Sequence, residues 1–172
     1  MRVFINPGHA PDGKPDAGAC GYGLRECDVA LSIGKLVEKY LAAVGYDVRL
    51  LQSDRLDEIC DAANYFDADI FVSIHCNAST GNAHGTETFC YYDSIKGKRL
   101  AECIHQQIVK SLPLTNRGTK EAGFYVLAYS GMPAVLVETA FIDHEGDAKL
   151  LRNRQDDFAR AIARGVTDYF AK

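Results

Sequence analysis

The sequence predicts an α/β fold in which a roughly six-stranded, mostly parallel sheet carries helices on both faces. Short apolar segments alternate with longer segments whose apolar residues recur with a helical period, and this alternation is typical of layered α/β folds. Two short segments, Asp69–His75 and Ala134–Glu138, are nearly continuous apolar runs, which indicates central strands covered on both faces. No repeat, low-complexity tract or linker is evident, so we expect residues 1–172 to form a single domain.

Six segments have the length and composition of strands. Thr86–Tyr92 is rich in β-branched and aromatic residues, and we expect it to lie nearer an edge of the sheet than the apolar runs do. The predicted strands are Val3–Asn6, Asp47–Leu51, Asp69–His75, Thr86–Tyr92, Gly123–Ala128 and Ala134–Thr139.

Five segments have the apolar periodicity of helices. The first carries an apolar stripe from Val29 to Val44, and Gly45 follows at a position where helices commonly end. The predicted helices are Cys27–Val44, Leu56–Phe66, Ile95–Ser111, a short helix near Asp147–Leu151, and Gln155–Phe170.

Composition and charge narrow the class of protein. The chain has 172 residues, of which 47% are hydrophobic and 24% charged, as in globular proteins with an apolar core. A net charge of -4 without any Lys/Arg run argues against a general affinity for nucleic acid. No apolar stretch is long enough to span a bilayer. We expect a monomer that binds no nucleic acid and does not span a membrane.

The amino terminus and the cysteines bear on the compartment of synthesis. Met1 and Arg2 lead directly into Val3–Ile5, without the long apolar segment of a signal peptide. Six cysteines are spread along a chain that can build an ample core, and none forms a C-x-x-C pair. We therefore expect free, mostly buried thiols rather than a disulfide framework, which favours synthesis in a reducing compartment.

Two histidines and one glutamate stand at the ends of predicted strands. His9 follows the first strand, His75 ends the third, and Glu138 lies at the end of the last. Because ligands of open α/β sheets lie outside the carboxyl ends of the strands, we expect these side chains to converge. Glu138 follows an apolar run, where a carboxylate is costly unless it is paired, hydrogen-bonded or near a metal.

Glu26 brings a second carboxylate to the same edge of the sheet. It follows a Gly-rich loop (Gly13–Gly23) and stands at the start of the first helix, where the helix dipole favours negative charge. Two imidazoles and one carboxylate make a three-ligand zinc site with a fourth position open for water. We predict that His9, Glu26 and His75 bind one Zn²⁺ and that Glu138 moves the protons.

Each of these residues also has a simpler explanation when it is considered alone. His9 could cap a turn, His75 could be a core histidine, and Glu138 could pair with Arg25. Glu26 could simply be an acidic residue that the helix dipole favours at a helix start. Four suitable residues on one edge are harder to explain separately, and their convergence favours the metal site.

Other candidate ligands fit the pattern less well. Cys76 adjoins His75, but neighbours along a strand point to opposite faces, so we do not predict Cys76 as a ligand. His105 lies in a helical pattern and is expected to be structural. His84 lies in a polar turn and is a candidate substrate contact.

Four segments around these residues resemble a known family. They are similar to the catalytic domains of zinc-dependent N-acetylmuramoyl-L-alanine amidases of the amidase type 3 family, which cut bacterial cell walls. The likeness runs in order through essentially the whole chain, with weaker agreement at Gly85–Phe89 and Asn116–Gly118. The matching segments are Asn6–His9, Gly23–Glu26, Ser73–Ala78 and Met132–Ile142.

The resemblance implies an activity and a substrate. It implies that His9, Glu26 and His75 bind zinc and that Glu138 is the catalytic acid/base. It also implies a peptidoglycan or muropeptide substrate, cut at the amide between the lactyl group of N-acetylmuramic acid and L-alanine of the stem peptide. By the same route Asn77 is a candidate substrate contact. The alternatives are a zinc peptidase or deacylase for another amide, and an inactive wall-binding module.

The chain departs from the family pattern at three positions. Asn6 stands where Asp is usual, Ala140 where Gly is usual, and His144 where Asn is common. We expect Asn6 to alter a hydrogen bond that orients His9. No long inserted helix that could cover the site is evident, so we expect an open, constitutively active site. We expect the protein to act at the bacterial cell wall. Because no leader is evident, it could be a phage lysin or a domain cut from a longer protein.

Overall fold

A computed structural model describes residues 1–171 as strands and helices in alternation. The strands are β1 (Arg2–Pro7), β2 (Cys20–Gly21), β3 (Leu24–Arg25), β4 (Asp47–Leu50), β5 (Ile70–Asn77), β6 (Thr86–Cys90), β7 (Asn116–Glu121) and β8 (Ala134–Phe141). The helices are α1 (Glu26–Ala43), α2 (Leu56–Tyr65), α3 (Ile95–Ser111), α4 (Tyr125–Ala128), α5 (Glu145–Asn153) and α6 (Gln155–Phe170).

Six strands form one mixed sheet in the order β4-β1-β5-β8-β6-β7, and β2 pairs with β3 in a separate antiparallel hairpin. Neighbouring strands of the large sheet are parallel except β6 and β8, which run antiparallel. The two most apolar segments, β5 and β8, lie at the centre. The predicted fold class is confirmed, with helices on both faces of a mostly parallel sheet.

One face of the sheet carries the larger apolar core. Helices α1, α3 and α6 contribute to this core, together with the strand side chains of Ile5, Val72 and Val137. α3 and α6 approach closely because α6 has a glycine at the crossing. A Cβ on Gly165 would lie 2.4 Å from the Cα of Ile104.

The opposite face carries a smaller apolar core. Helices α2 and α4 supply Ile59 and Val126, which belong to one cluster with Phe4, Phe71 and Leu136 of the strands. Further along the same strands, towards the carboxyl ends of β1, β5 and β8, the side chains of this face become polar. These polar side chains form the candidate site described below.

The predicted strand Gly123–Ala128 is wrong. Its aromatic and β-branched composition suits a strand, but Tyr125–Ala128 forms the short helix α4, which buries Val126 and Leu127 against the smaller core. The sixth strand of the sheet is instead β7, a polar segment that was not predicted. It is held at the edge by parallel pairing with β6.

The remaining predictions about the scaffold agree with the structure. The other predicted helices and strands are present, with ends that differ by at most a few residues from those predicted. Five of the six cysteines are buried, and Cys20 is exposed; all six are free thiols. Within residues 1–171, every helix is too short or too polar to cross a bilayer.

Candidate metal centre

Glu26 is the first residue of α1, and its carboxylate is buried. Oε2 accepts a hydrogen bond from the backbone N–H of Ala19 (2.8 Å), and Oε1 accepts one from the N–H of Cys76 (2.9 Å). Burial alone would raise the pKa of Glu26, but hydrogen bonds from His75 and His9 outweigh it and hold the pKa well below its usual range. Glu26 is therefore a fixed anion at the helix start.

His9 lies directly after β1 with a left-handed backbone (φ 66°), which is uncommon for a non-glycine residue. Its Nε2 lies 2.9 Å from Glu26 Oε2, and its Nδ1 lies 2.7 Å from Asp16 Oδ2. Burial opposes the protonated ring, yet the bonds to Glu26 and Asp16 raise the pKa of His9 to about 9. The ring is packed against Gly18, where a Cβ would lie 2.5 Å from His9 Cδ2.

His75 lies near the carboxyl end of β5 and faces the same carboxylate. Its Nδ1 is 2.9 Å from Glu26 Oε1, and its ring centroid is 5.1 Å from that of His9. Gly8 leaves room for the ring, because a Cβ there would lie 2.3 Å from His75 Cε1. The two glycines beside the histidine rings, Gly8 and Gly18, therefore belong to the site.

The ligand atoms of His9, Glu26 and His75 all lie within 4.8 Å of one another and could hold a metal ion. Two imidazole nitrogens and a carboxylate oxygen are a donor set that suits transition metals. Asp16 adds the outer contact that metal-binding histidines commonly make, because its carboxylate fixes the ring nitrogen on the far side of His9. The geometry brings together the three residues that the sequence singled out as metal ligands.

Glu138 lies beside this group in the sheet. It is paired across the strands with His75 on β5 and with Glu87 on β6. Its Oε2 is buried and has no hydrogen-bond partner among residues 1–171. Burial, followed by the negative charges of Glu26 and Glu87, raises the pKa of Glu138 to about 8.

Asn77 is the last residue of β5, two residues beyond His75. Its Nδ2 donates to Glu87 Oε1 at 2.6 Å, and its Oδ1 accepts from the N–H of Ala78. The side-chain amide is therefore occupied in holding Glu87. Contact between Asn77 and substrate stays a prediction.

One simpler explanation does not apply, and one alternative ligand is excluded as predicted. Arg25 pairs with Asp28 (Nε to Oδ2, 2.6 Å) rather than with Glu138. The thiol of Cys76 lies 3.5 Å from the hydroxyl of Thr139 and is buried in the larger core, away from the three candidate ligands.

The prediction that Asn6 influences the orientation of His9 is wrong. The Asn6 amide donates to the carbonyl oxygen of Leu51 and accepts from the hydroxyl of Ser73, so it braces neighbouring strands. Asp16 contacts His9 instead.

The three remaining histidines, His84, His105 and His144, lie outside the ligand group. The buried ring of His105 bonds Asn116 (Nε2 to Oδ1, 2.8 Å), as expected for a structural residue. His84 stacks on His144 with 4.8 Å between ring centroids, and the proposed substrate contact of His84 stays a prediction.

Sequence reasoning missed three features of the site. Asp16 lies in an irregular loop, where no periodicity marks it. Glu87 is recognisable only once its pairing with Glu138 is known. A cavity of about 170 Å³ opens beside His9 and His75, and its walls include Phe124 and Tyr125 from the segment that was predicted as a strand.

Comparison with known proteins adds the family. The family model described as N-acetylmuramoyl-L-alanine amidase matches residues 3–168. The chain belongs to this family.

Two relatives and one solved structure show how far the similarity extends. The chain is 41% identical over 177 residues to N-acetylmuramoyl-L-alanine amidase LytC of Bacillus subtilis (strain 168), covering 98% of this chain and 35% of LytC. It is 35% identical to the endolysin of Bacillus phage SPP1, covering 99% of this chain and 65% of the endolysin. The structure of N-acetylmuramoyl-L-alanine amidase AmiC2 of Nostoc punctiforme aligns with a TM-score of 0.92 at 37% identity, covering 100% of this chain and 98% of AmiC2. This chain thus spans about a third of LytC.

Proposed function

We propose that this chain is a zinc-dependent N-acetylmuramoyl-L-alanine amidase and that residues 1–172 are one catalytic domain. The observation that carries the proposal is the arrangement of Glu138, with an unpartnered buried Oε2, directly beside the His9–Glu26–His75 group. A carboxyl group without a partner is costly in a buried position, so its retention there favours a chemical role. Membership of the amidase family supports amide hydrolysis as the reaction in which Glu138 has this role.

His9, Glu26 and His75 would hold the zinc ion. Their donor set is that of catalytic rather than structural zinc sites, because three protein ligands leave one position open. When bound, zinc supplies Lewis acidity, which polarises a carbonyl group and makes water more acidic. The backbone N–H groups of Ala19 and Cys76 hold the Glu26 carboxylate in place, and Asp16 orients His9.

Glu138 would transfer the proton. Burial raises the pKa of this carboxyl group above its ordinary value, which favours exchange of its proton near neutral pH in either direction. In its ionised form, Oε2 accepts a proton from the attacking water. In its protonated form, the same oxygen delivers that proton to the departing alanine nitrogen. The negative charges of Glu26 and Glu87, together with burial, keep the group basic enough for the first step.

The cavity beside the histidines would receive the apolar groups next to the scissile amide. Its walls combine His9 and His75 with Leu56, Phe124 and Tyr125 and are largely apolar. The lactyl and alanine methyl groups that flank the amide suit such a surface.

The biological setting follows from the same proposal. The substrate would be peptidoglycan or its muropeptide fragments, and the site of action the bacterial cell wall. The side chains of His9 and His75 are 22% and 19% exposed, which supports an open site that needs no activating displacement. That the chain acts as a monomer stays a prediction.

Digestion of peptidoglycan sacculi tests the function directly. The purified chain is incubated with sacculi or soluble muropeptides, with and without a zinc chelator, and the products are identified by mass spectrometry. We expect stem peptides with a free L-alanine amino terminus, lost with chelator and restored by zinc. Cleavage within the peptide would identify a peptidase instead, and binding to sacculi without released product would identify a wall-binding module.

A further inference from the structure

The edge of the sheet next to Glu138 carries a cluster in which two cations, Arg117 and Lys120, contact Glu87, and the proposed proton transfer assigns neither cation a direct role. Arg117 and Lys120 of β7 both bond one carboxylate oxygen, Oε2 of Glu87, with 2.9 Å from Arg117 Nε. Glu87 is buried, whereas the side chains of Arg117 and Lys120 are 33% and 42% exposed. Two cations share one anion, so the cluster keeps a net positive charge that faces solvent.

A β-bulge brings the two cations to the same face of the sheet. Residues three apart on a regular strand point to opposite faces. Here Thr86 pairs with Asn116 and Thr88 pairs with Thr119, so two residues of β7 stand opposite Glu87 alone. Gly118, at φ 81°, supplies the conformation that such a bulge needs. The extra residue turns Lys120 towards Glu87 beside Arg117.

The guanidinium of Arg117 is held in place through Nε, and its two terminal nitrogens are left without a hydrogen-bond partner among residues 1–171. Its Nε donates to Glu87, and its Cζ lies 4.9 Å from the ring centroid of Phe141. A guanidinium fixed in this way presents two parallel donors, the arrangement that binds a carboxylate in bidentate fashion.

We propose that Arg117 and Lys120 form a subsite for a free carboxylate on the peptide part of the substrate. This inference rests on the proposed amidase function. β7 lies two strands from β8, so its backbone is about 10 Å from that of Glu138. An extended peptide spans about 3.3–3.6 Å per residue. The subsite therefore recognises a carboxylate within about three residues of the scissile amide.

A purely structural role is the competing explanation. Charged side chains and bulges on an edge strand also prevent edge-to-edge association. That role requires the charges but predicts no preference among substrates. Substrate preference therefore separates the two explanations.

The test compares two soluble N-acetylmuramoyl peptides that differ in a single side-chain group. One carries a free side carboxylate within three residues of the amide, and the other carries the corresponding primary amide. For the wild-type protein we expect kcat/KM to be about 10-fold or more higher on the acid, through KM, as charge-assisted hydrogen bonds allow. In Arg117→Met, kcat/KM on the acid substrate should fall to the value on the amide substrate. In Arg117→Lys, part of the preference for the acid should remain.

Arg160→Met is the matched control. Arg160 on α6 also bonds a carboxylate (Asp156, 2.8 Å) and lies over an aromatic ring (Tyr40, 5.6 Å), but it is outside the site. Its removal should leave the preference unchanged. Zinc content and melting temperature verify that Arg117→Met, in which Lys120 still neutralises Glu87, remains folded.

Two results would overturn the subsite. One is an equal kcat/KM of the wild-type protein on the acid and the amide substrate. The other is a decrease of kcat/KM in Arg117→Met by the same factor on both substrates. Failure of the wild-type protein to release peptide from either substrate would instead refute the amidase function, and with it this inference.

Discussion

The two faces of the sheet differ in what their side chains do. On the face covered by α1, α3 and α6, strand residues such as Val72 and Val137 are fully buried among apolar neighbours. On the face covered by α2 and α4, the row across β6, β8 and β5 consists of Glu87, Glu138 and His75. One face stabilises the fold, and the other holds charged groups in positions that a stability criterion alone would not favour.

The two carboxylates of that row show how the second face tolerates its charges. Like charges directly opposite each other in a sheet are destabilising. Hydrogen bonds from Lys120 and Arg117 outweigh burial and lower the pKa of Glu87. For Glu138, burial and the negative charges of Glu26 and Glu87 outweigh the attraction of His9 and raise the pKa to about 8. One group is kept ionised and the other is kept close to neutral, so the pair does not carry two full charges near pH 7.

The comparison predicts that Glu138→Gln removes function without removing the fold. Loss of a general acid/base lowers turnover by about 10²–10⁴-fold, and we expect the zinc content to be unchanged because His9, Glu26 and His75 are intact. Rates of peptide release, zinc content and unfolding curves are measured on the same sample. Turnover close to the wild-type value would exclude Glu138 as the acid/base.

The opposite result is expected for a core residue on the other face. Phe158 of α6 is fully buried in the larger core, and Phe158→Ala should lower the free energy of unfolding by about 3–5 kcal/mol. Denaturant unfolding measures the loss. Zinc content and activity per folded molecule should stay near the wild-type values, and a selective loss of activity would show that the two faces are not separable.

Asp16 should affect metal affinity more than stability. Its carboxylate is exposed and acts through His9, so Asp16→Asn should weaken zinc binding by about 10–100-fold. Competition with a chromophoric chelator gives the affinity. Asp12→Asn, in the same loop, is the control, and equal affinities for the two variants would show that the contact to His9 has no influence on the metal.

The raised pKa of Glu138 predicts a pH dependence in the metal-free protein. Burial raises this pKa from its ordinary value near 4.5 to about 8, so the folded state holds a proton that the unfolded state has lost. The associated stability is fully present below pH 4.5 and is lost as the pH rises through 8.

Melting temperatures of the metal-free wild-type protein and of Glu138→Gln between pH 5 and pH 8 measure this contribution. The wild-type protein should lose several degrees more than the variant over this interval. His9 contributes in the same direction, but it is present in both proteins. Parallel curves would contradict the raised pKa of Glu138.

The scaffold and the convergence of the candidate metal ligands could be predicted because they depend on local patterns. Apolar periodicity marks the helices, and the rule that ligands lie at the carboxyl ends of strands brings His9, His75 and Glu138 together. Glu26 is identified by its place at a helix start. None of these inferences requires knowledge of which strands are neighbours.

The features that escaped prediction depend on tertiary contacts. Asp16 is significant only through its distance to His9, and Glu87 only through its pairing with Glu138. The strand β7 is polar and carries a glycine, so its own composition argues against a strand; pairing with β6 decides its structure. The aromatic segment at Gly123–Ala128 has strand-like composition, but Tyr125–Ala128 is helical because Val126 and Leu127 pack into the smaller core from a helix.

Anomalous diffraction at the zinc edge, from crystals grown with zinc, tests the central claim most directly. We expect one peak at about 2.0–2.2 Å from His9 Nε2, His75 Nδ1 and a carboxylate oxygen of Glu26, with Glu138 nearby but not coordinating. A peak ligated by other residues, or no peak at this group in zinc-saturated crystals, would contradict it.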